Sequence, residues 1–268
     1  MPALAIVIGL LVGLSLGALG GGGSILTVPA LVYLLGQDTV SATTGSLVIV
    51  GVTALTAMAA HHRLGRVRVA AGATFGVIGI AGSYVGSRLS AMVAPGVLLA
   101  AFSILMLVVA AAMFARSRRS RVTTGEPVSM GPIIRLRPCF VCDCPRAARV
   151  VLTATGVGLM TGFFGVGGGF VVVPALVLVL GFPMPVAVGT SLLVISINSA
   201  TALAARLGQS PSLDWVLIGS FTAAAVIGSL LGGQVASRVQ PRLLTRGFAL
   251  LLVVVALLTA GNSIPQLV

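Results

Sequence analysis

Two glycine-rich stretches carry backbone groups that could bind an anion. Gly17–Leu31 reads GALGGGGSILTVPAL, and Gly162–Leu176 repeats it as GFFGVGGGFVVVPAL, with eight of the fifteen aligned positions identical. In each stretch glycines interrupt an apolar run, and a helix is expected to begin again after them, near Ser24 in the first copy and near Gly169 in the second. The first amides of a helix have no partner within it and lie at the positive end of its dipole. Because glycine lets a ligand approach the backbone closely, the two breaks predict an anion site built from amides.

Residues beside the breaks could complete this site. Ser24 and Thr27 add hydroxyl groups in the first copy, whereas the second copy has Gly169 and Val172 at those places, so the predicted site is asymmetric. Asn198 is an amide within a predicted span, where pairing with another helix and contact with substrate are equally good interpretations. The candidate substrate-binding residues are Gly20, Gly22, Gly23, Ser24, Thr27, Thr44, Ser46, Gly165, Gly167, Gly168, Gly169, Thr190, Ser191 and Asn198.

Glycine also has a purely structural use, because small residues three or four apart let membrane helices pack closely. That interpretation is preferred for one regular series in the first half: Gly72, Gly76, Gly79, Gly82 and Gly86. For the repeated breaks we favour a functional role, although a gene duplication would by itself produce the repetition.

The composition predicts a polytopic membrane protein. Hydrophobic residues make up 57% of the 268-residue chain and charged residues only 7%, against about 25% charged residues in soluble domains. The net charge of +12 comes from sixteen arginines, which are expected to orient the chain in the bilayer rather than to bind nucleic acid. The central parts of the spans contain no Asp, Glu or Lys, which disfavours a carboxylate proton relay and suits an anion.

The lengths of the apolar runs indicate which helices hold the glycine breaks in place. The first run, about Ala3–Leu35, would be roughly 50 Å long as one helix, whereas the hydrocarbon core is about 30 Å thick. We therefore expect a re-entrant hairpin of two short helices, the alternative being one interrupted crossing. A second hairpin is predicted at about Val150–Gly181. Three spans follow each hairpin: Ser41–Ala60, Val69–Ser87, Gly96–Ala115, Val186–Ala205, Leu213–Val235 and Leu243–Ala260.

The fold class is thus all-α, with two homologous transmembrane repeats, 1–115 and 150–268, joined by a cytoplasmic linker, 116–149. If the hairpins do not cross, the second repeat is inverted, and fourteen arginines lie on the cytoplasmic side with only Arg88 and Arg206 outside. If each break is a crossing, the repeats are parallel and the division is twelve to four. The positive-inside rule favours inversion.

Both motifs, with the Ser/Thr-bearing segments SATTGSLVIV and AVGTSLLVIS that follow them, resemble the TauE/SafE family of membrane transporters, also described as sulfite exporters. The resemblance covers nearly the whole chain except 116–149. It implies movement of sulfite, sulfonates or related anions across the bacterial cytoplasmic membrane. We therefore expect a multi-pass secondary transporter that exports a small sulfur-containing anion by alternating access. The alternatives are an anion channel-like pore, or a membrane sensor or assembly protein that acts through the linker.

The linker contains all three cysteines, Cys139, Cys142 and Cys144. They are weak candidates for a metal site because zinc usually requires a fourth ligand, and incidental reduced thiols are the preferred interpretation. No catalytic constellation and no cofactor are expected, so the protein is not expected to be an enzyme. His61 and His62 are expected at the membrane boundary in an interfacial, structural role. The expected partners are a small anionic substrate and the lipid bilayer, not nucleic acid. A homo-oligomer is a further possibility.

Overall fold

The computed structural model describes residues 2–90, 92–93, 95–119, 144–164, 169–205 and 214–263, and all regular structure within these ranges is helical. A π-helical segment, Ala30–Leu34, continues the second helix. The α-helices of the described residues are α1 (Pro2–Leu19), α2 (Gly22–Pro29), α3 (Thr39–Arg63), α4 (Val69–Ser90), α5 (Pro95–Arg119), α6 (Cys144–Phe164), α7 (Gly169–Leu178), α8 (Met184–Ala205), α9 (Trp215–Arg238) and α10 (Pro241–Ser263).

Five of the described helices, namely α3, α4, α8, α9 and α10, are long and apolar enough to cross a membrane. They correspond to five of the six predicted spans, and the sixth, α5, has a shorter described apolar stretch at Ala101–Ala115. Large apolar side chains such as Val216 and Leu250 are exposed on the surface of the bundle, as expected where a helix faces lipid. The predicted all-α polytopic membrane protein is confirmed at this level.

The first glycine break is a tight turn between α1 and α2. Gly20 has a left-handed backbone with φ of 72°, and its N–H donates to the Leu16 carbonyl over 2.8 Å. Glycine is favoured at this position because a side chain would clash with the backbone there. The new helix begins at Gly22 rather than near Ser24, because Gly20 and Gly21 suffice to turn the chain.

Of the second break, the structure describes the residues from Gly169 onward. α7 begins at Gly169, as predicted, while Gly165, Gly167 and Gly168 lie outside the described residues. Every residue from Gly169 to Val177 is buried, so α7 lies at the centre of the bundle. Within this core the rings of Phe102 and Phe170 meet edge to face, with centroids 5.2 Å apart, a contact worth about 0.5–1.5 kcal/mol beyond burial.

The short helices of the two halves end with the same backbone pattern. The Leu35 N–H donates to the Ala30 carbonyl over 3.2 Å, and the Leu180 N–H donates to the Ala175 carbonyl over 3.3 Å. Both bonds span five residues, and each is followed by a glycine with a left-handed backbone, Gly36 and Gly181. The sequence repeat is therefore also a repeat of local conformation.

Glycines bring α1 against α9 and α6 against α4. A methyl group added at Gly13 would overlap the Ala225 backbone, and one added at Gly17 would overlap the Ser229 backbone. In the other pair, a methyl group at Gly86 would lie 2.8 Å from the Phe163 nitrogen. Because these distances leave no room for a side chain, glycine is required for the close approach. The packing role predicted for Gly86 is confirmed.

These contacts also define the directions of the helices in the first half. Gly13 and Gly17 of α1 lie against Ala225 and Ser229 of α9, so the numbers rise together and the two helices run in the same direction. In α3, residue 45 lies against residue 218 of α9, and residue 61 lies against residue 233. Thus α3 also runs with α9, and α1 and α3 share one direction.

The second half has the corresponding arrangement. Gly72 and Gly76 of α4 lie against Leu193 and Ile197 of α8, so these two helices run in the same direction. Residues 82 and 86 of α4 likewise face residues 155 and 159 of α6 in rising order. Therefore α6 and α8 share one direction, as α1 and α3 do.

Candidate functional site

The two glycine breaks are in direct contact. A methyl group added at Gly21 would overlap the carbonyl group of Gly169 and would lie 2.7 Å from the Phe170 nitrogen. A methyl group added at Gly169 would lie 2.8 Å from the Ser24 hydroxyl oxygen. The two backbones can approach this closely only because both positions lack a side chain.

The first break also touches α8. A methyl group at Gly20 would lie 2.7 Å from the Ser191 hydroxyl oxygen and 3.3 Å from the Val188 Cα. Ser24 and Ser191 are both buried. The structure therefore brings together four of the predicted site residues: Gly20, Ser24, Gly169 and Ser191.

Several predicted hydroxyl groups already donate their proton within their own helix. The acceptor is in each case a carbonyl three or four residues earlier, at 2.7 to 3.0 Å. A hydroxyl has a single proton to donate, so in this conformation these groups can accept but not donate a further hydrogen bond. The pairs are Ser24 to Gly21, Thr27 to Gly23, Ser46 to Thr43 and Ser191 to Val188. Donors for an anion must therefore come from elsewhere, and the amides that open α2 have no side-chain cap at Gly21.

Gly22 and Gly23 are packing positions as well as predicted ligands. A methyl group at Gly22 would lie 2.7 Å from the Leu251 Cδ2, and one at Gly23 would lie 2.5 Å from the Leu16 Cβ and 2.7 Å from the Val12 carbonyl oxygen. Protein atoms thus fill the space that the missing side chains leave. An anion would have to approach the N–H groups of these residues rather than their Cα atoms.

The hydroxyl residues on α3 and α8 lie at two different levels of the bundle. Gly51 of α3 faces Ser199, whereas Arg68, just beyond the end of α3, donates its N–H to Thr190 over 3.2 Å, so α3 and α8 are antiparallel. Ser46 and Ser191 are consequently separated by roughly 20 Å along the bundle at 1.5 Å per residue. Thr44, close to Ser46, belongs to that other level, and these residues do not share one pocket with the first break.

A further cluster of polar side chains lies at mid-height of the bundle, and one of its members, Thr53, was not predicted from the sequence. Asn198 is half-buried, and the neighbouring Ser199 is buried. Thr53 on α3 is also buried, and the hydroxyl oxygens of Thr53 and Ser199 have no hydrogen-bond partner among the described residues. The repeat held a signal for Thr53, because it stands 145 residues before Asn198, at the offset of the two motifs.

His61 and Arg66 were not predicted as site residues. His61, near the end of α3, is only 1% exposed, and its Nε2 lies 3.1 Å from the Gly17 carbonyl oxygen. Close packing of α1 and α9 encloses the ring. The Arg66 Nη1 atom is buried and has no hydrogen-bond partner within the described part of the chain. The loop sequence held no signal for this, since Arg66 stands among other arginines typical of a cytoplasmic loop.

The linker is mostly outside the described residues, as are Cys139 and Cys142. α5 continues to Arg119 and α6 begins at Cys144, so helices occupy both ends of the predicted 116–149 segment. In the described ranges no three His, Cys, Asp or Glu residues lie together in a group that could hold a metal ion.

The five long apolar helices and the buried polar groups between them define a multi-pass helical membrane protein. A model of the family described as "Sulfite exporter TauE/SafE" matches residues 5–259. The chain belongs to this family of membrane transporters. A "Probable membrane transporter protein" of Xylella fastidiosa (strain Temecula1) is 32% identical over 262 residues, which cover 96% of this chain and 94% of the relative.

A second similar protein comes from a different organism. The "Probable membrane transporter protein YunE" of Bacillus subtilis (strain 168) is 26% identical over 267 residues, which cover 94% of this chain and 93% of that protein. No solved structure matches the chain. Both relatives therefore align with this chain over nearly their whole length.

Proposed function

We propose that the protein is a secondary carrier that exports a small sulfur-containing anion, sulfite or an organosulfonate, across the bacterial cytoplasmic membrane. The observation that carries the proposal is the contact between the two glycine breaks at Gly21 and Gly169. Two helix N-termini that meet inside the bundle place amide donors and partial positive charge at one point without a buried carboxylate or lysine. The family description, which names sulfite export, supports this class of anion.

The proposed architecture is a pair of inverted repeats, each with a re-entrant hairpin. α2 runs back along α1, since Gly22 lies near Leu19 while Gly23 lies against Leu16 and Val12. If the break were one crossing, α1 and α3 would run in opposite directions, whereas they share one direction. The same relation between α6 and α8 supports a second hairpin that enters from the opposite side.

The packing of each hairpin supports the proposed alternating access. The first hairpin packs through α1 against α9 of the other half, and the second packs through α6 against α4. A shift of one hairpin and its partner helix relative to the other group would separate the breaks on one side at a time. The anion, bound by the amides of 22–24 and 167–169, would then be exposed to each side in turn.

The proposal is tested with purified protein in proteoliposomes loaded with sulfite. A carrier is expected to give saturable efflux that external sulfite or sulfonate accelerates by exchange. Steady anion conductance without exchange would indicate a channel-like pore instead. If no sulfur-containing anion moves while the reconstituted protein is intact, the proposed function is wrong.

A further inference from the structure

Arg66 holds a buried cationic nitrogen that the described residues leave without an acceptor. Its Nη1 atom is buried, and none of the described residues hydrogen-bonds to it. Removing a charged donor from water without a partner is costly, so such a group is normally paired. Two other arginines of the same loop, Arg63 and Arg68, are exposed, which is the ordinary situation for a cytoplasmic loop.

The described carboxylates cannot supply the missing acceptor. Asp38 precedes the start of α3, whereas Arg66 follows its end, and a helix of 25 residues is about 37 Å long. Asp214 caps the start of α9, which runs in the same direction as α3, so it also lies at the far end. The other two acidic residues, Glu126 and Asp143, lie outside the described residues. Their substitution is therefore part of the test.

Arg66 lies against the turn of α8 that also touches the first break. Its carbonyl oxygen would lie 2.6 Å from a methyl group at Gly189, and the adjacent Arg68 N–H donates to Thr190. Val188 and Ser191, on the same turn of α8, face Gly20 of the break. One helical turn therefore separates the arginine loop from the first glycine break.

His61 connects the same loop to α1. The Arg66 N–H donates to the His61 carbonyl over 3.1 Å. The ring in turn lies 3.1 Å from the Gly17 carbonyl oxygen, three residues before Gly20. Its Nδ1 atom is buried and has no partner among the described residues. His61 thus holds the end of α3, and with it the loop, beside the break.

We propose that Arg66 binds the transported oxyanion beside the first break, and that His61 is a positioning residue which holds Arg66 there. The inference rests on the proposed anion transport and adds a side-chain ligand to the backbone amides. A guanidinium presents planar donors that match two oxygens of a sulfite or sulfonate group, which an ammonium group cannot do. The buried Nη1 atom then has its acceptor whenever the anion is bound.

The experiment measures sulfite and sulfate binding to the purified full-length protein, by isothermal titration and by stabilisation against heating, together with sulfite efflux. Arg66→Gln is expected to weaken binding about tenfold or more, because a charge-assisted hydrogen bond is lost. Arg66→Lys should restore part of the affinity, since it keeps the charge but not the planar donors of the guanidinium. The controls Arg63→Gln and Arg68→Gln, which remove the same charge from exposed positions of the loop, should bind as the wild type does.

Folding is separated from binding by heating without anion. If Arg66 binds an anion, Arg66→Gln should unfold at the wild-type temperature or above, because it removes a buried Nη1 donor that has no acceptor among the described residues. For His61, the Gln variant can still donate to the Gly17 carbonyl and should keep the affinity, whereas His61→Ala should weaken it.

Three results would overturn the assignment. Arg66→Gln could bind and transport as well as Arg63→Gln, in which case the carrier function stands and Arg66 has no part in it. The double variant Glu126→Gln/Asp143→Asn could reproduce the defect of Arg66→Gln, which would show that a linker carboxylate is its partner. If the wild-type protein neither binds nor moves any sulfur anion, the proposed function is wrong, and this inference is wrong with it.

Discussion

A single methyl group at Gly21 tests whether the contact between the breaks matters for transport. In Gly21→Ala the added group would overlap the carbonyl of Gly169 and lie 2.7 Å from the Phe170 nitrogen. These are backbone atoms of a helix buried along nine successive residues, so no side chain can rotate away to make room. Over-packing of this kind typically costs about 1–3 kcal/mol. If that cost falls on the conformation in which the breaks touch, the population of that conformation drops about 5- to 150-fold.

The assay is the initial rate of sulfite efflux from proteoliposomes, normalised to the amount of monodisperse protein. We expect Gly21→Ala to slow efflux by about tenfold, within the range that the strain permits. The matched control is Gly156→Ala on α6, where an added methyl group meets no atom within 4 Å. Alanine is favoured over glycine inside a helix by roughly 0.5–1 kcal/mol, so this control should fold at least as well and transport normally.

Gly22→Ala provides an intermediate case. Its methyl group would meet the end of the flexible Leu251 side chain at 2.7 Å rather than backbone, so the strain can be relieved by a rotamer change. Efflux should therefore fall less than in Gly21→Ala. The reasoning would be refuted if Gly21→Ala transported as fast as Gly156→Ala, or if Gly22→Ala were the more severely impaired of the two break variants.

Further predictions concern stability, the linker and topology. Gly20→Ala should lower the free energy of unfolding by about 1–2 kcal/mol, because alanine is strained in a left-handed backbone; thermal unfolding in detergent measures this, and an unchanged midpoint would contradict it. Gly17→Ala should loosen the packing of α1 on α9 and cost about 1–3 kcal/mol, while Gly219→Ala, in open space, should cost nothing. Deletion of 120–143 should leave sulfite efflux intact in a carrier, whereas its loss would favour a sensor that acts through the linker. Impermeant reagents should label cysteine tags at both termini from the outside if the repeats are inverted, and labelling of both from the inside would favour parallel copies.

The sequence was sufficient for the fold class and for the position of the first break, because both depend on local properties. A long apolar run with four successive glycines cannot be one regular helix, and the structure ends α1 at Leu19 and begins α2 at Gly22. The small error in where α2 begins has a local cause. Gly20 and Gly21 complete the turn by themselves, so Gly22 is already helical.

The repeated motif suggests that the two breaks meet, but the sequence could not establish this contact, since it joins residues almost 150 positions apart and depends on how the two halves pack. Arg66 and His61 were missed for a related reason. In a sequence, an arginine after an apolar span reads as a cytoplasmic charge. In the folded chain the loop packs against Gly189 and Thr190, and the Arg66 Nη1 atom is buried. Whether a polar group is buried depends on the residues around it, and the residues against this loop, Gly189 and Thr190, belong to the other repeat.

The close contact between Gly21 and Gly169 also limits where an anion can be in this conformation. The two backbones leave no space even for a methyl group, so a sulfur oxyanion cannot lie directly between them until they separate. The hydroxyl protons of Ser24 and Ser191 are engaged with carbonyls of their own helices, so they do not supply donors there either. Near the first break, the Arg66 Nη1 and His61 Nδ1 atoms are buried without a hydrogen-bond partner among the described residues. If Arg66 binds the anion as proposed, an anion approaching from the loop side would meet the guanidinium first and the amides of α2 only as the breaks move apart, which orders binding before the conformational change.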